Sequence, residues 1–438
     1  MTAAEDLPTL TRLVPGAAAI ALRFVHTADL HLDSPLRSLA LRDPDLAALI
    51  GTATRAALER IVALCLEEEA AALLIAGDLY DGDQGSMKTA AALAGAFARL
   101  GAAGVQVCVL RGNHDAAARI TGALELPENV HVFGVRPATK VIEAAGVTLA
   151  VHGVSFARGV PDHPLARFPQ PVPGAVNVGM LHTSLGGAAG HDPYAPVSPA
   201  ELAALGYDYW ALGHIHARSV LPGPPLIVMP GMPQGRDIGE AGPKSATLVS
   251  VAASGRMTAE ARPTALAEFA RAEVSLAGAE GWGAVEAGLA AALTAAQAGA
   301  EAAHVVLRLR LTGATPLAWR LRRDLDAVTE TAAALAAELR ARHAAGVWVE
   351  TVETACTPPE ATGDGGALAE LARLVADRPP PAAEAEALVA EVLRALPPEL
   401  RARWPAEPGA LAEATAALLR EGVEDVLARL HAAGGGED

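Results

Sequence analysis

The chain has 438 residues, 51% hydrophobic but only 3% aromatic, with a formal net charge of −16. That length suits about two or three domains of roughly 150 residues each, and that charge excludes a protein that coats nucleic acid with massed lysine and arginine. Cys65, Cys108 and Cys356 are widely separated and form neither a disulfide framework nor a CxxC pair, which fits a reducing, cytoplasmic setting.

No apolar stretch reaches the about 20 residues that a transmembrane helix needs, so no membrane is expected as a partner. The run 13–22 follows Glu5 and Asp6 and lacks a basic leader, so it is not read as a signal peptide. Residues 1–20 read as a flexible extension. Short apolar runs bounded by turn residues predict strands at 22–27, 71–76, 105–110, 147–151, 176–181 and 207–212. Helical patterns at 47–69 and 88–100 lie between the early ones, and this alternation predicts an α/β layered sheet. Strands at 226–229 and 247–252 close it, Ser254-Gly255 makes a turn, and a boundary is expected at 253–262. A smaller α+β unit follows, with strands at 305–311 and 346–352 flanking one helix over 317–343. Thr357-Pro358-Pro359 and 363–366 mark a second linker, and helices are expected at 368–377, 382–396 and 410–432. The expected domains are therefore 21–255, 262–356 and 363–434. Residues 357–438 hold 15 acidic against 7 basic side chains, half of the net charge.

Seven metal-capable side chains fall just after these strands. Asp29 and His31 stand in Asp29-Leu30-His31, Asp78 in Gly77-Asp78-Leu79-Tyr80-Asp81, and Asn113 in Gly112-Asn113-His114-Asp115. His182 stands in Leu181-His182-Thr183, and His214 and His216 in Gly213-His214-Ile215-His216. Open α/β sheets bind ligands at the carboxyl ends of their strands. Carboxylates, imidazoles and one amide suit borderline divalent ions such as Mn, Fe or Zn. Seven donors exceed the needs of one ion and suit two that share a carboxylate, the clamp used for displacement at phosphorus. One Asp-x-His alone would be only a turn; five such pieces in this order make chance a poor explanation.

The order of these motifs resembles that of the calcineurin-like metallophosphoesterases. Phe24-Val25-His26-Thr27-Ala28-Asp29-Leu30-His31-Leu32-Asp33-Ser34-Pro35 resembles the opening of their DNA-repair exonuclease branch, the SbcD-like proteins. Gln234-Gly235-Arg236, with Glu240 and Gly242-Pro243-Lys244, resembles the YhaO-type members of that branch. The resemblance covers about 22–251, weakens to about 354 and ends there. It implies a four-layer α/β/β/α sandwich with a small α+β capping domain and a helical C-terminal region. It also implies two divalent ions, Mn2+ foremost. Asp29, His31, Asp78 and His216 would hold one, and Asp78, Asn113, His182 and His214 the other. Asp78 would bridge them, with a hydroxide between the ions as nucleophile. His114 would be the general acid for the leaving oxygen or a phosphate contact, and Asp81 the carboxylate that orients it; Asp115 is the second candidate for that role and otherwise reads as a cap on the following turn. The implied substrate is DNA, cleaved exonucleolytically or by structure during repair. The implied partners are an SMC-type coiled-coil ATPase, docked on helices after the second unit, and a second copy in a homodimer.

Other residues read less sharply. Arg236 either contacts a phosphate or pairs with Glu240 or Asp237. Arg308, Arg310, Arg320, Arg322 and Arg323, with Trp319, form a basic cluster that either touches DNA or is a solvated face. His131 and His152 read as structural, His26 and Asp33 as supports for the first ligands, and His163 and His191 as loop residues. No Gly-x-x-x-x-Gly-Lys-Ser/Thr loop occurs, so any ATP-driven step belongs to another chain. Two other functions stay open. One is a metallophosphoesterase for a small phosphodiester or phosphoprotein, which the acidic charge favours mildly. The other is a non-catalytic regulatory subunit, which the complete ligand set does not favour.

Overall fold

Strand β2 (Ala72–Ala76) explains the architecture in five residues: all are buried, and they alternate between two cores. Leu73 and Ile75 meet helices α1 (Pro44–Glu67) and α2 (Met87–Ala102), whereas Ala72, Leu74 and Ala76 meet a second sheet. Burying each large apolar side chain this way contributes about 1.5–3 kcal/mol, and trimming Leu74 to alanine would cost about 2–5 kcal/mol. The computed structural model describes residues 20–34, 44–80, 87–115, 126–156, 164–186, 194–343, 346–359, 367–377, 382–396, 401, 404–405 and 407–434.

The first sheet begins with β1 (Ile20–Thr27), β2, β3 (Gln106–Leu110) and β4 (Val130–Val132), all parallel. The second contains β5 (Ala138–Ala144), β6 (Val147–Gly153), β7 (Val176–His182), β8 (Tyr209–Gly213), β9 (Ser219–Leu221) and β10 (Leu226–Met229), in the order β5-β6-β7-β8-β10-β9. The chain then returns to the first sheet as β11 (Ser245–Ala252) and β12 (Met257–Pro263), giving β12-β11-β1-β2-β3-β4. The inner faces pack Phe24, Leu74 and Leu110 against Val151, Met180 and Tyr209. Helix α3 (Pro199–Ala204) lies outside the second sheet, where its Leu202 joins Trp210, Leu212 and Met229. A capping box starts it: Glu201 N donates to Ser198 Oγ at 3.3 Å, and Ser198 N donates to Glu201 Oε2 at 2.8 Å. Helices, sheet, sheet and helix make the expected four layers.

The boundary expected at 253–262 is instead a hairpin, because Met257–Pro263 pairs antiparallel with β11 from Ser245 to Val251. The first compact unit runs through Phe269 and includes Glu301–Ala303; the second comprises Ala270–Ala300 and the residues from His304 onward. Strand β13 (Ala267–Ser275) leads into the second unit, followed by α4 (Trp282–Gly299) and β14 (His304–Ala314). The single helix expected over 317–343 is two, α5 (Ala318–Arg323) and α6 (Leu325–Arg342), parted at Asp324. They cross over to β15 (Gly346–Thr357), parallel to β14. Helices α7 (Ala367–Asp377), α8 (Ala382–Ala395) and α9 (Pro408–Gly434) follow, with α9 against α5, α7 and α8. They cluster with the α+β unit rather than apart from it. Among the described residues, no helix is long and apolar enough to cross a membrane.

Candidate metal centre

The loops that leave β1 and β2 are laced together by their backbones. Asp29 N donates to Gly77 O at 3.0 Å, His31 N to Asp78 O at 3.1 Å, and Leu32 N to Leu79 O at 3.0 Å. The second sheet is tied in by His214 N, which donates to both Asp29 carboxylate oxygens at 3.2 and 3.0 Å. His114 N donates to Asp78 Oδ1 at 2.9 Å. Asp29, His31, Asp78 and His214 take positive φ angles of 53, 43, 51 and 103°. Asp and His tolerate this left-handed region better than most residues, at about 1 kcal/mol or more each. Two glycines make room. A Cβ on Gly77, at φ 99°, would fall 2.4 Å from His182 Nδ1, and one on Gly112 would fall 2.2 Å from Asp78 Oδ1.

Asp29, His31, Asp78 and His182 are all buried. Their donor atoms converge. His31 Nε2 and His216 Nε2 are 3.2 Å apart. Asp78 Oδ2 lies 3.4 Å from His182 Nε2 and 4.0 Å from His31 Nε2. His182 Nε2 is 2.9 Å from Asn113 Oδ1. Three groups bring their donor atoms within 4.8 Å of one another: Asp29, His31 and His216; Asp29, Asp78 and His182; and His31, Asp78 and His114. Asp29, His31 and Asp78 each belong to two of them. The His214 ring stands 5.2 Å from that of His182.

Two observations show that this set fits divalent cations. First, Asp29 and Asp78 are two buried carboxylates at close range, which repel unless cations lie near. Second, the far nitrogens of two histidines are already engaged. His182 Nδ1 donates to Ala76 O at 2.8 Å, and His216 Nδ1 to Glu240 Oε1 at 2.9 Å. Each Nε2 is thereby left for the site, the arrangement seen behind metal-bound imidazoles. Without metal, protons stand in. Burial disfavours charge on His182, yet Asp78 outweighs it and raises the imidazole to about 9. Burial likewise opposes ionisation of Asp78, but His182, then His31 and His114, hold its carboxyl well below the usual range.

A model of the calcineurin-like phosphoesterases matches residues 22–218 of this sequence, and one of the middle domain of metallophosphoesterase YhaO matches 269–357. The chain carries a calcineurin-like phosphoesterase domain. Over 234 residues it is 38% identical to the Bacillus subtilis protein called uncharacterized metallophosphoesterase YhaO, covering 52% of this chain and 57% of that one. Over 217 residues it is 26% identical to the DNA double-strand break repair protein Mre11 of Methanopyrus kandleri, 45% of each chain. The chain thus spans about half the length of the curated relatives it matches. A dimetal phosphatase from Danio rerio aligns over 56% of this chain and 97% of its own, at 12% identity and a TM-score of 0.35.

Within the phosphoesterase domain, all seven expected ligands and His114 gather at one end of the stacked sheets. Asp81, His163 and His191 lie outside the described residues. The turn that Asp115 is expected to cap lies outside the described residues. Asp115 itself is buried and accepts from Leu79 N at 3.1 Å, Tyr80 N at 2.9 Å and Gly112 N at 3.0 Å, clipping the Asp78 loop to the Asn113 loop. Burial, then Asp78, raises its carboxyl to about 6. Asp33 anchors the first loop to both helices: Arg55 Nε donates to its Oδ1 at 2.6 Å, and Thr89 also bonds it. Arg236 faces Glu240, donating to Oε1 from a terminal nitrogen at 2.7 Å. The basic cluster of the second unit is paired as well. Arg322 meets Glu424 and Asp425, Arg323 meets Asp324, and Arg320 approaches Asp324 at 3.9 Å and overlies Trp282. Arg308 bonds Glu350, and Arg310 lies 3.7 Å from Glu273.

Two residues escaped the sequence reading as parts of the site. Glu240 was visible in its motif, but its bond to His216 was not. Tyr194 places its ring 5.5 Å from that of His214 and 5.6 Å from that of His182. Its hydroxyl is buried without a hydrogen-bond partner among the described residues, and burial, helped by Asp78, raises it to about 12. No local signal marks it, because a tyrosine in a loop has many uses.

Proposed function

We propose that this chain is a two-metal phosphodiesterase that cleaves DNA, by exonucleolytic or structure-directed hydrolysis in repair. The observation that carries the reading is the buried Asp78 carboxylate, set between the His31 side and the His182 side of one converging donor cluster. Asp29, His31, Asp78 and His216 would hold one divalent ion, and Asp78, Asn113, His182 and His214 the other, with Mn2+ as the metal proposed. Bound there, such ions supply Lewis acidity toward phosphoryl oxygens and lower the pKa of water.

The chain's own groups do the rest. Asp78, anchored by His114 N, keeps both halves of the cluster in register. His114 is half-buried beside His31, with ring centroids 4.9 Å apart. From there it delivers a proton to the departing oxygen, a contribution of typically 10²–10⁴-fold for a positioned general acid. The DNA reading is supported by the DNA-repair wording of the first ligand motif and by the similarity to Mre11. A cytoplasmic setting and a coiled-coil ATPase partner belong to the same proposal. The partner is supported by the exposed Leu374, Leu388 and Val392 on α7 and α8.

A second reading has its own observation. Arg308, Arg320, Arg322 and Arg323 of the second unit face carboxylates and the chain is strongly acidic, which favours a small phosphodiester or a phosphoprotein over a long polyanion. Mn2+-dependent degradation of end-labelled linear DNA, with Asp78→Ala beside it, separates the two. Degradation lost in the variant supports the nuclease. Intact DNA together with hydrolysis of small phosphodiesters supports the second reading.

A further inference from the structure

His216 is held by a device outside the ligand motifs. Its Nδ1 donates to Glu240 Oε1 at 2.9 Å, which leaves Nε2 facing His31 Nε2. Glu240 is itself clamped. Arg236 donates from Nε to both carboxylate oxygens at 3.2 Å, from a terminal nitrogen to Oε1 at 2.7 Å, and from its backbone N to Oε2 at 2.7 Å. Glu240 ends a single 3-10 turn, Ile238–Glu240, that is capped by Asp237, whose Oδ1 accepts from Gly239 N at 2.7 Å. The start of this segment is pinned too. Buried Gln234 accepts from Leu266 N at 2.8 Å and donates to Ala267 O at 2.7 Å. A Cβ on Gly235 would come within 2.9 Å of Glu240 O, so the backbone is already close-packed there.

We infer that Glu240, clamped by Arg236, is a positioning residue of the metal centre: it fixes the His216 tautomer, aims Nε2 and sets the affinity for one of the two ions. The inference rests on the two-metal reading above. A carboxylate behind a metal-bound imidazole orients the ring and raises its basicity, and losing such a partner typically costs 10–100-fold in metal affinity. The guanidinium has a separate task. It holds both oxygens of the Glu240 carboxylate, which keeps Oε1 aimed at Nδ1–H. The same contacts pair Arg236 with Glu240, one of its two expected uses.

The test uses the purified full chain, with Glu240→Ala, Glu240→Gln and Arg236→Met. Mn2+ binding is titrated by the electron paramagnetic resonance of the free ion. The His216 tautomer is read in the metal-free chain by long-range 15N–1H correlation. The expected result is about 10–100-fold weaker binding at one site in Glu240→Ala, with the other unchanged, and loss of the Nδ1–H pattern at His216. Glu240→Gln, whose amide oxygen still accepts, should fall between, and it carries the test if the alanine variant does not fold. Folded variants that bind both ions like the wild type and keep the tautomer would overturn the inference while leaving the two-metal reading intact. A wild type that binds no Mn2+ would overturn both.

Discussion

His31 and His216 come from loops of different sheets, yet their Nε2 atoms stand 3.2 Å apart. Two lone pairs cannot share that gap without a proton or a cation nearby. Phosphodiester hydrolysis is therefore expected to vanish on chelation and to return with Mn2+. His31→Asn and His216→Asn should each reduce the bound metal from two equivalents to one, and turnover by at least about 100-fold. Metal analysis of the dialysed variants checks this, and two retained equivalents would sink it.

His114 should separate binding from chemistry. Its backbone N supports Asp78, but that bond survives replacement of the side chain. His114→Ala is expected to keep both metals and lose about 10²–10⁴-fold in kcat. A full rate on every phosphoester tried would remove its role as proton donor.

Gly112 is a steric guard. The Cβ of Gly112→Ala would press on Asp78 Oδ1 at 2.2 Å and on Asp78 N at 2.7 Å. Displacing the shared carboxylate should weaken both metal sites, with at least about a tenfold loss of activity, since small misplacements at a reacting centre are costly. Wild-type metal affinity in a folded Gly112→Ala chain would contradict this.

His26 sets an acid limit on the first unit. Burial lowers its imidazole from 6.5 to about 3, against the raising effect of its bond to Leu212 O; Nδ1 faces the Tyr209 hydroxyl at 2.9 Å. The folded chain keeps it neutral while the unfolded chain protonates near 6.5, so stability is complete above that pH and is lost as pH falls toward 3. At pH 5 the loss amounts to about 2 kcal/mol. Urea unfolding at pH 7.5 and 5.0 should show this step in the wild type and a smaller one in His26→Gln.

Arg322 is expected to hold a helix rather than DNA. Its partners Glu424 and Asp425 lie on α9 and are more than half exposed, so the pair contributes under about 1 kcal/mol. Arg322→Ala should speed amide exchange in α9 and leave the salt dependence of DNA binding unchanged. A salt slope reduced by about one would instead make Arg322 a phosphate contact.

The strands that position the ligands were legible because both of their faces are largely buried, as in β2, which leaves short apolar runs bounded by turn residues. Strand β12 was not, because its burial alternates at a sheet edge and Arg262 and Glu260 make it look like a linker. Helix α4 escaped because only Val285, Leu289 and Leu293 mark its buried stripe in an alanine-rich run. The ligands themselves were legible as local motifs after strands. Their supports were not: Glu240 reaches His216 across 24 positions, and Arg322 reaches Glu424 across 102. Such pairs are fixed by tertiary packing and leave no period or spacing in the chain.

The left-handed backbone at Asp29, His31, Asp78 and His214 bears on how this chain can change over time. Each of those residues holds a conformation that glycine would adopt with less strain. Glycine at Asp29 or Asp78 would relieve that strain but strip His214 N and His114 N of their acceptors. A copy released from its chemistry could therefore shed these carboxylates only by giving up bonds that lace the site's loops together.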